Sequence, residues 1–190
     1  MEERELIQKS KHGDSDAFEM LITPLMQGII SHAYMMFQNR EDAFDMAQET
    51  FVKAFIKIGT FNEQSSFKTW LYKILTNVCL DELRKRKRRA QTISLTIDDD
   101  DTKQTMLDIE DNSSNPQHNA EKNELRKAIA DAIGELEYEY RTAIILRELE
   151  GMNYNEIAST LGISLGTVKS RINRARNQLR EKLLKYRELL

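Results

Sequence analysis

The sequence predicts an all-α protein made of two small helical domains, and three observations support this. Apolar residues recur at three- and four-residue spacings over most of the chain, which is the repeat of an amphipathic helix. Only 7 of the 190 residues are glycine and only 2 are proline, so few residues interrupt helices. Residues 91–120 lose this repeat and collect acidic and polar residues, which indicates a flexible acidic linker. The predicted domains are therefore 1–90 and 121–190.

Four helices are predicted in the first domain. A short helix covers about 2–11, and a second carries an apolar face over 18–33, which Pro24 is expected to kink or delay. A third helix runs over about 40–58, and a fourth over about 67–89, after a polar loop. The residues of the third helix predicted to face inward are Ala43, Met46, Ala47, Thr50, Ala54 and Ile58.

Four more helices are predicted in the second domain, over about 125–136, 143–149, 155–161 and 164–186. Only the tight turn from Leu161 to Ser164 separates the last two, and its Gly162 permits a sharp change of direction. Two short helices joined in this way form a helix-turn-helix, the unit that places its second helix in the major groove of DNA.

The last helix separates apolar from basic residues. One side carries small apolar residues such as Val168, Ile172 and Ala175, and the other carries lysines, arginines and asparagine. Gly166 and Thr167 open the helix, where backbone N–H groups can meet a phosphate. A basic amphipathic helix could also be a solvated face or lie on a membrane surface. The small apolar side and the glycine turn favour DNA recognition.

The net charge of −3 is the sum of strongly segregated segments. Residues 84–89 are all basic, and 166–187 contain 8 basic residues and 1 acidic residue. Between them, 98–111 contain 7 acidic residues and 1 basic residue. Two basic segments far apart in sequence indicate two separate contacts with a polyanion.

Enzyme chemistry is not expected from this sequence. The histidines at 12, 32 and 118 are scattered, no glycine-rich phosphate loop or nucleophile motif is present, and Cys79 stands among apolar residues as a structural thiol. The acidic run 98–101 lacks the spacing of a calcium loop, so it is interpreted as solvated linker. We therefore predict no catalytic residue, no metal site and no cofactor.

The cellular location is predicted from what the sequence lacks. The N-terminus is charged, a single cysteine allows no intramolecular disulfide, and no segment is expected to approach the roughly 18 apolar residues of a membrane span. These features predict a soluble cytoplasmic protein with no direct membrane insertion.

Three stretches resemble motifs of one known protein family, and they follow one another along the chain in the same order as in that family. EDAFDMAQETFVKAF (41–55) is similar to the polymerase-docking helix of extracytoplasmic-function (ECF) sigma factors. FKTWLYKILTNVCLDELRKRKRR (67–89) resembles their promoter-melting helix. LRELEGMNYNEIASTLGISLGTVKSRINRAR (146–176) is similar to their promoter-recognition domain. The resemblance covers nearly the whole chain.

The resemblance implies a function for each stretch. It implies docking of Asp45, Gln48 and Glu49 on core RNA polymerase, by residues that share one exposed helix face. It implies capture of a flipped base of the minus-ten element and contact with its phosphates by the following residues: Asn62, Glu63, Gln64, Ser65, Ser66, Lys68, Lys73, Asn77, Arg84 and Arg86. It implies recognition of the minus-thirty-five element by a third set: Gly166, Thr167, Lys169, Ser170, Arg171, Asn173, Arg174 and Arg176.

The resemblance also implies three partners: core RNA polymerase, promoter DNA and an anti-sigma factor that covers the protein until a stress signal arrives.

Trp70, at a helical spacing, is interpreted as a core residue rather than a platform for a base. The alternative function is a stand-alone helix-turn-helix regulator, whose N-terminal half senses a ligand and which binds duplex DNA without polymerase.

Overall fold

The computed structural model describes residues 2–93 and 116–184, and within these residues all regular structure is helical. The predicted all-α class is confirmed. The chain divides into two compact units, Met1–Ala33 with Glu41–Asp100 and Tyr34–Arg40 with Asp101–Leu190. The short segment Tyr34–Arg40 groups with the C-terminal helices, which the helical periodicity did not indicate.

Five helices belong wholly or mainly to the first unit: α1 (Glu3–Lys11), α2 (Ser15–Ile22), α3 (Met26–Phe37), α4 (Arg40–Lys57) and α5 (Phe67–Ile93). The interruption predicted at Pro24 is confirmed. Thr23–Leu25 form a single 3-10 turn with Pro24 near its start, where the missing N–H group of proline breaks no helical hydrogen bond. Asp14 caps α2 by accepting a hydrogen bond of 3.0 Å from the N–H of Ala17.

The core of the first unit contains the residues that the periodicity selected. All six residues predicted to face inward from 40–58 are buried. Cys79 is completely buried, which confirms its predicted burial, and desolvation raises the pKa of its thiol far above the ordinary value. Trp70 is half-buried, and its ring centroid lies 5.2 Å from that of Phe61 and 5.7 Å from that of Phe67. The three rings form an aromatic cluster beside the polar loop.

The expectation that no segment resembles a membrane span was wrong. Ser15–Phe37 spans 23 residues and reaches a mean hydropathy of 1.2, the length and composition of a spanning helix. Polar residues, including Asp16 and Glu19, interrupt its apolar run but lower the mean hydropathy only moderately. Core helices of water-soluble proteins meet the same criterion, and Phe18, Leu21, Ile22 and Ile29 are core residues in this structure.

The second unit contains α6 (Pro116–Gly134), α7 (Tyr138–Ile144), α8 (Tyr154–Leu161) and α9 (Leu165–Leu183). The sequence predicted an α-helix over about 143–149, but α7 begins five residues earlier, at Tyr138, and Ile145–Leu149 continue it as a π-helical turn. The largest buried side chains of the second unit include Leu136, Ile145, Leu146, Ile157, Val168 and Ile172. Arg141 closes the turn between α6 and α7 by donating hydrogen bonds to the carbonyl groups of Gly134 and Leu136.

Helices extend into the predicted linker at both of its ends. Helix α5 continues to Ile93, four residues past the basic run 84–89, and α6 begins at Pro116 rather than near 125. A proline is compatible with the first turn of a helix because the N–H groups there have no helical partner. The acidic run 98–101 lies outside the described residues.

Candidate nucleic-acid and polymerase interfaces

Helix α4 presents a mixed acidic and apolar surface. Asp45, Gln48 and Glu49 are exposed, and the buried residues Ala43, Met46 and Ala47 lie on the opposite side. An oxygen of Glu49 lies 2.6 Å from the Nζ atom of Lys53, one turn further on. The predicted exposure of the three polar residues is confirmed, and their role in docking stays a prediction.

Sequence reasoning missed two residues next to this surface. Val52 is 57% exposed and Ile56 is 75% exposed, one and two turns beyond Gln48 along the same side of α4. These two apolar residues are four residues apart and do not belong to the inward-facing set, and this spacing could have predicted an exposed apolar strip. Exposed aliphatic groups beside carboxylates suit a partner that offers both cations and apolar area. We call Asp45, Gln48, Glu49, Val52 and Ile56 the α4 surface.

The loop 62–66 is exposed and held at both ends. Asn62 accepts a hydrogen bond of 3.3 Å from the N–H of Gln64 through its side-chain oxygen. Ser66 caps α5 by accepting a hydrogen bond of 3.0 Å from the N–H of Thr69. Glu63 has a φ angle of 59° and contacts three residues of α1. Asn62, Gln64 and Ser65 remain exposed along the loop.

Helix α5 carries a polar stripe that starts next to this loop. Lys73, Asn77 and Arg84 are exposed, and their spacing of four and seven residues places them on one side of the helix. Lys68 is exposed in the first turn, and its Nζ atom lies 5.4 Å from the ring centroid of Tyr72. The structure therefore places the predicted minus-ten residues of α5 and the loop in one compact unit.

The basic run 84–89 is not uniformly available for phosphates. Arg86 donates two hydrogen bonds to Asp42 of α4, of 2.5 and 2.8 Å, and a third of 3.0 Å to Glu82. Hydrogen bonding to Asp42 raises the pKa of Arg86 above its ordinary value, and hydrogen bonding from Arg86 lowers the pKa of Glu82. Arg86 therefore links α4 to α5 in this structure, while Arg84 pairs with Asp81 at 3.2 Å.

Local hydrogen bonds define the helix-turn-helix of the second unit. Asn153 and Glu156 form a capping box at the start of α8. Gly162 ends α8 with a φ angle of 64°, the left-handed conformation that glycine adopts without steric cost, so its predicted role in the turn is confirmed. Ser164 caps α9 by accepting a hydrogen bond of 3.1 Å from the N–H of Thr167. That N–H group, predicted to meet a phosphate, is already bonded within the helix start.

Helix α9 buries Val168, Ile172 and Ala175 and exposes most of its polar residues. Two of the predicted arginines form ion pairs with neighbouring helical segments. Arg171 lies 2.6 Å from a carboxylate oxygen of Glu139. Arg176 lies 2.7 Å from one of Glu148, and this hydrogen bond raises the pKa of Arg176.

Three of the other predicted residues of α9 have no polar partner. Lys169, Ser170 and Asn173 are exposed, and their side chains contact no polar group within the part of the chain that the structure describes. Arg174 donates one hydrogen bond of 3.1 Å to the hydroxyl of Tyr140, a neutral partner. Lysine, serine, asparagine and arginine are among the side chains that read base edges in the major groove. We call Lys169, Ser170, Asn173 and Arg174 the α9 polar face.

Within the described residues, no group of three or more His, Cys, Asp or Glu side chains could hold a metal ion. His118 lies in α6, and its side chain is outside the described part.

Two family models match the chain, in the order of its two units. Residues 21–89 match "Sigma-70 region 2", and residues 126–179 match "Sigma-70, region 4". The first range contains the α4 surface, the loop 62–66 and most of α5. The second contains the helix-turn-helix. These two matches define a transcription initiation factor of the sigma-70 class.

Curated relatives specify the group. The chain is 32% identical over 178 residues to RNA polymerase sigma-H factor of Pseudomonas aeruginosa, covering 94% of this chain and 92% of that protein. It is 34% identical over 184 residues to ECF RNA polymerase sigma factor SigW of Bacillus subtilis, covering 93% and 94%. The sigma factor RpoE of Bartonella quintana, solved in complex with the anti-sigma factor NepR, matches with a TM-score of 0.69 and 28% identity, over 87% of this chain and 96% of that chain.

This chain belongs to the ECF group of the sigma-70 family. It is an alternative sigma factor that directs promoter recognition, as the sequence predicted.

Proposed function

We propose that the two units act at different steps of initiation. The first unit docks on core polymerase through the α4 surface and captures a base of the minus-ten element with the loop 62–66 and Asn77. The second unit reads the minus-thirty-five element with the α9 polar face. The observation that carries this proposal is that each unit has its own exposed polar surface. A cation near each surface is bound by a carboxylate, Arg86 in the first unit and Arg176 in the second.

Base capture requires a base to leave the stack, which costs a few kcal/mol that a pocket must offset. Asn62, Gln64 and Asn77 offer exposed amides that can bond to a Watson–Crick edge. Lys68 and Lys73, on the same unit, are placed to attract the phosphates of the separated strand. These groups support opening of the minus-ten element by the first unit.

An anti-sigma factor is the proposed regulatory partner. The related sigma factor of Bartonella quintana was solved in complex with one. The exposed aliphatic residues Val52 and Ile56 offer apolar area on the α4 surface that such a partner can cover together with the carboxylates. A partner bound there competes with polymerase. The chain is proposed to act in the cytoplasm, where the polymerase is, and to leave catalysis to the polymerase.

Run-off transcription tests this proposal most simply. Core polymerase, with and without the full-length chain, is given a panel of promoters, including those transcribed with the related sigma factors. We expect discrete transcripts only when the chain is present. Tight, sequence-specific gel shifts by the free chain at physiological salt, without polymerase-dependent transcripts, would instead support the stand-alone regulator.

A further inference from the structure

Glu63 adopts a backbone conformation that is unfavourable for a residue with a side chain. Its φ angle of 59° lies in the left-handed region, where the Cβ atom crowds the backbone and glycine is preferred. Among the described residues, only Gln38 is a second non-glycine residue with a positive φ. Unfavourable backbone geometry at a binding loop persists only where surrounding contacts hold it in place.

Three side chains of α1 supply those contacts. The Nε2 atom of Gln8 donates a hydrogen bond of 3.0 Å to one carboxylate oxygen of Glu63, and the Nζ atom of Lys11 lies 3.6 Å from that same oxygen. The Nε atom of Arg4 lies 3.4 Å from the other oxygen. The three donors are four and three residues apart, so they project from one side of α1.

Lys11 also connects this contact to the aromatic cluster. Its side chain is only 20% exposed, and its Nζ atom lies 5.8 Å from the ring centroid of Phe61. Phe61 immediately precedes the loop 62–66 and packs against Phe67 and Trp70, which begin the helix after it. The cation therefore touches both the loop and its hydrophobic base.

We propose that α1 is a positioning element for the minus-ten loop. Through Gln8, Lys11 and Arg4 it holds Glu63 in the left-handed conformation, and so fixes the direction in which Asn62 and Gln64 face a single-stranded base. Lys11 and Arg4 also neutralise a carboxylate that would otherwise repel the phosphates of the DNA. This inference rests on the function proposed above for the loop.

The test uses holoenzyme assembled from core polymerase and the full-length chain. Its probe is a set of labelled single-stranded oligonucleotides, taken from the nontemplate strand of a promoter that the holoenzyme transcribes, with each minus-ten base replaced in turn. The double variant Gln8→Ala/Lys11→Ala should bind the parent oligonucleotide about three- to tenfold more weakly, the range expected for one or two partly exposed polar contacts. Its preference among the replaced bases should fall at the position that the loop contacts.

Three further variants separate positioning from stability. Lys9→Ala removes a cation from the same helix. The Nζ atom of Lys9 lies 3.1 Å from a carboxylate oxygen of Glu5, so this variant should leave affinity and base preference unchanged. Glu63→Gly allows the positive φ without a carboxylate. In that background, Gln8→Ala/Lys11→Ala should cause no further loss, because there is nothing left for α1 to hold. Lys11→Met keeps an unbranched side chain and removes the charge. It replaces the double variant if thermal melting shows that the latter is unfolded.

Wild-type affinity and base preference in both Gln8→Ala/Lys11→Ala and Lys11→Met would overturn the inference. An equal loss in the Glu63→Gly background would overturn it too, because α1 would then act without Glu63. Asn77→Ala distinguishes this result from failure of the proposed function. If Asn77→Ala weakens oligonucleotide binding while the α1 variants do not, the loop function stands and only the role of α1 is lost. If none of these variants has an effect, both proposals fail.

Discussion

Lys169 and Arg176 lie two turns apart on α9, and the structure predicts that only the replacement of Lys169 by alanine strongly weakens DNA recognition. Lys169 is exposed and contacts no polar group within the described part of the chain. Its ammonium is therefore available to a base or a phosphate. Arg176 donates hydrogen bonds of 2.7 and 3.2 Å to Glu148 and would have to leave this carboxylate to reach DNA.

The expected magnitudes differ accordingly. A side-chain contact to a base edge provides about 1–3 kcal/mol of discrimination, so Lys169→Ala should weaken closed complexes by about 5- to 150-fold and relax the preference at one position of the minus-thirty-five element. The pair of Arg176 and Glu148 is 44% and 49% exposed, and exposed pairs contribute about 0.2–1 kcal/mol to folding stability. Arg176→Ala should therefore change base preference little and lower thermal stability slightly.

The assay is equilibrium binding of holoenzyme to duplex promoter at low temperature, where opening is suppressed. Each base pair of the minus-thirty-five element is substituted in turn, and the salt concentration is held constant because phosphate contacts depend on it. Glu148→Ala is a matched control, since it removes the carboxylate that pairs with Arg176 and keeps the arginine. A loss of base preference in Arg176→Ala as large as that in Lys169→Ala would refute the assignment of the α9 polar face.

Three further outcomes are expected. Replacing both Asp45 and Glu49 with lysine should abolish co-purification with core polymerase while leaving the helical circular dichroism unchanged, because the substitutions lie on an exposed surface; undiminished binding would remove that surface from docking. The thiol of Cys79, buried and with its pKa raised by desolvation, should react with a thiol reagent at pH 8 only after denaturation, and rapid labelling of the native chain would contradict its burial. The free chain should bind duplex promoter much more weakly than holoenzyme does in a gel shift, because each basic surface is small.

Much of the fold follows from local patterns in the sequence. The buried side of α4, the break at Pro24 and the left-handed Gly162 are each determined by residues within one or two turns, so periodicity and turn chemistry predicted them. The end of α5 and the start of α6 were placed less accurately. Polar residues without an apolar repeat carry no periodic signal, although they can continue a helix.

The pairing of charged residues could not be predicted in this way. Arg86 was assigned to phosphates because it stands in a basic run, but Asp42, 44 residues away, binds it. Glu63 was assigned to the DNA loop, and its contact with Gln8 joins residues 55 apart. Such contacts depend on how helices pack, which a helical repeat does not specify. The sequence therefore predicted which segments carry function better than which side chains remain available for it.

The first unit is proposed to open the minus-ten element, and the second is proposed to recognise duplex DNA. Permanganate footprinting of holoenzyme on duplex and premelted templates tests this claim directly. On duplex DNA, Asn77→Ala should form closed complexes but lose reactive thymines at the minus-ten element, and a premelted template should restore its transcription because no base then has to leave the stack. Lys169→Ala should bind duplex weakly, open normally once bound, and gain nothing specific from premelting. Rescue of Lys169→Ala by premelted DNA, together with failure to rescue Asn77→Ala, would contradict the claim.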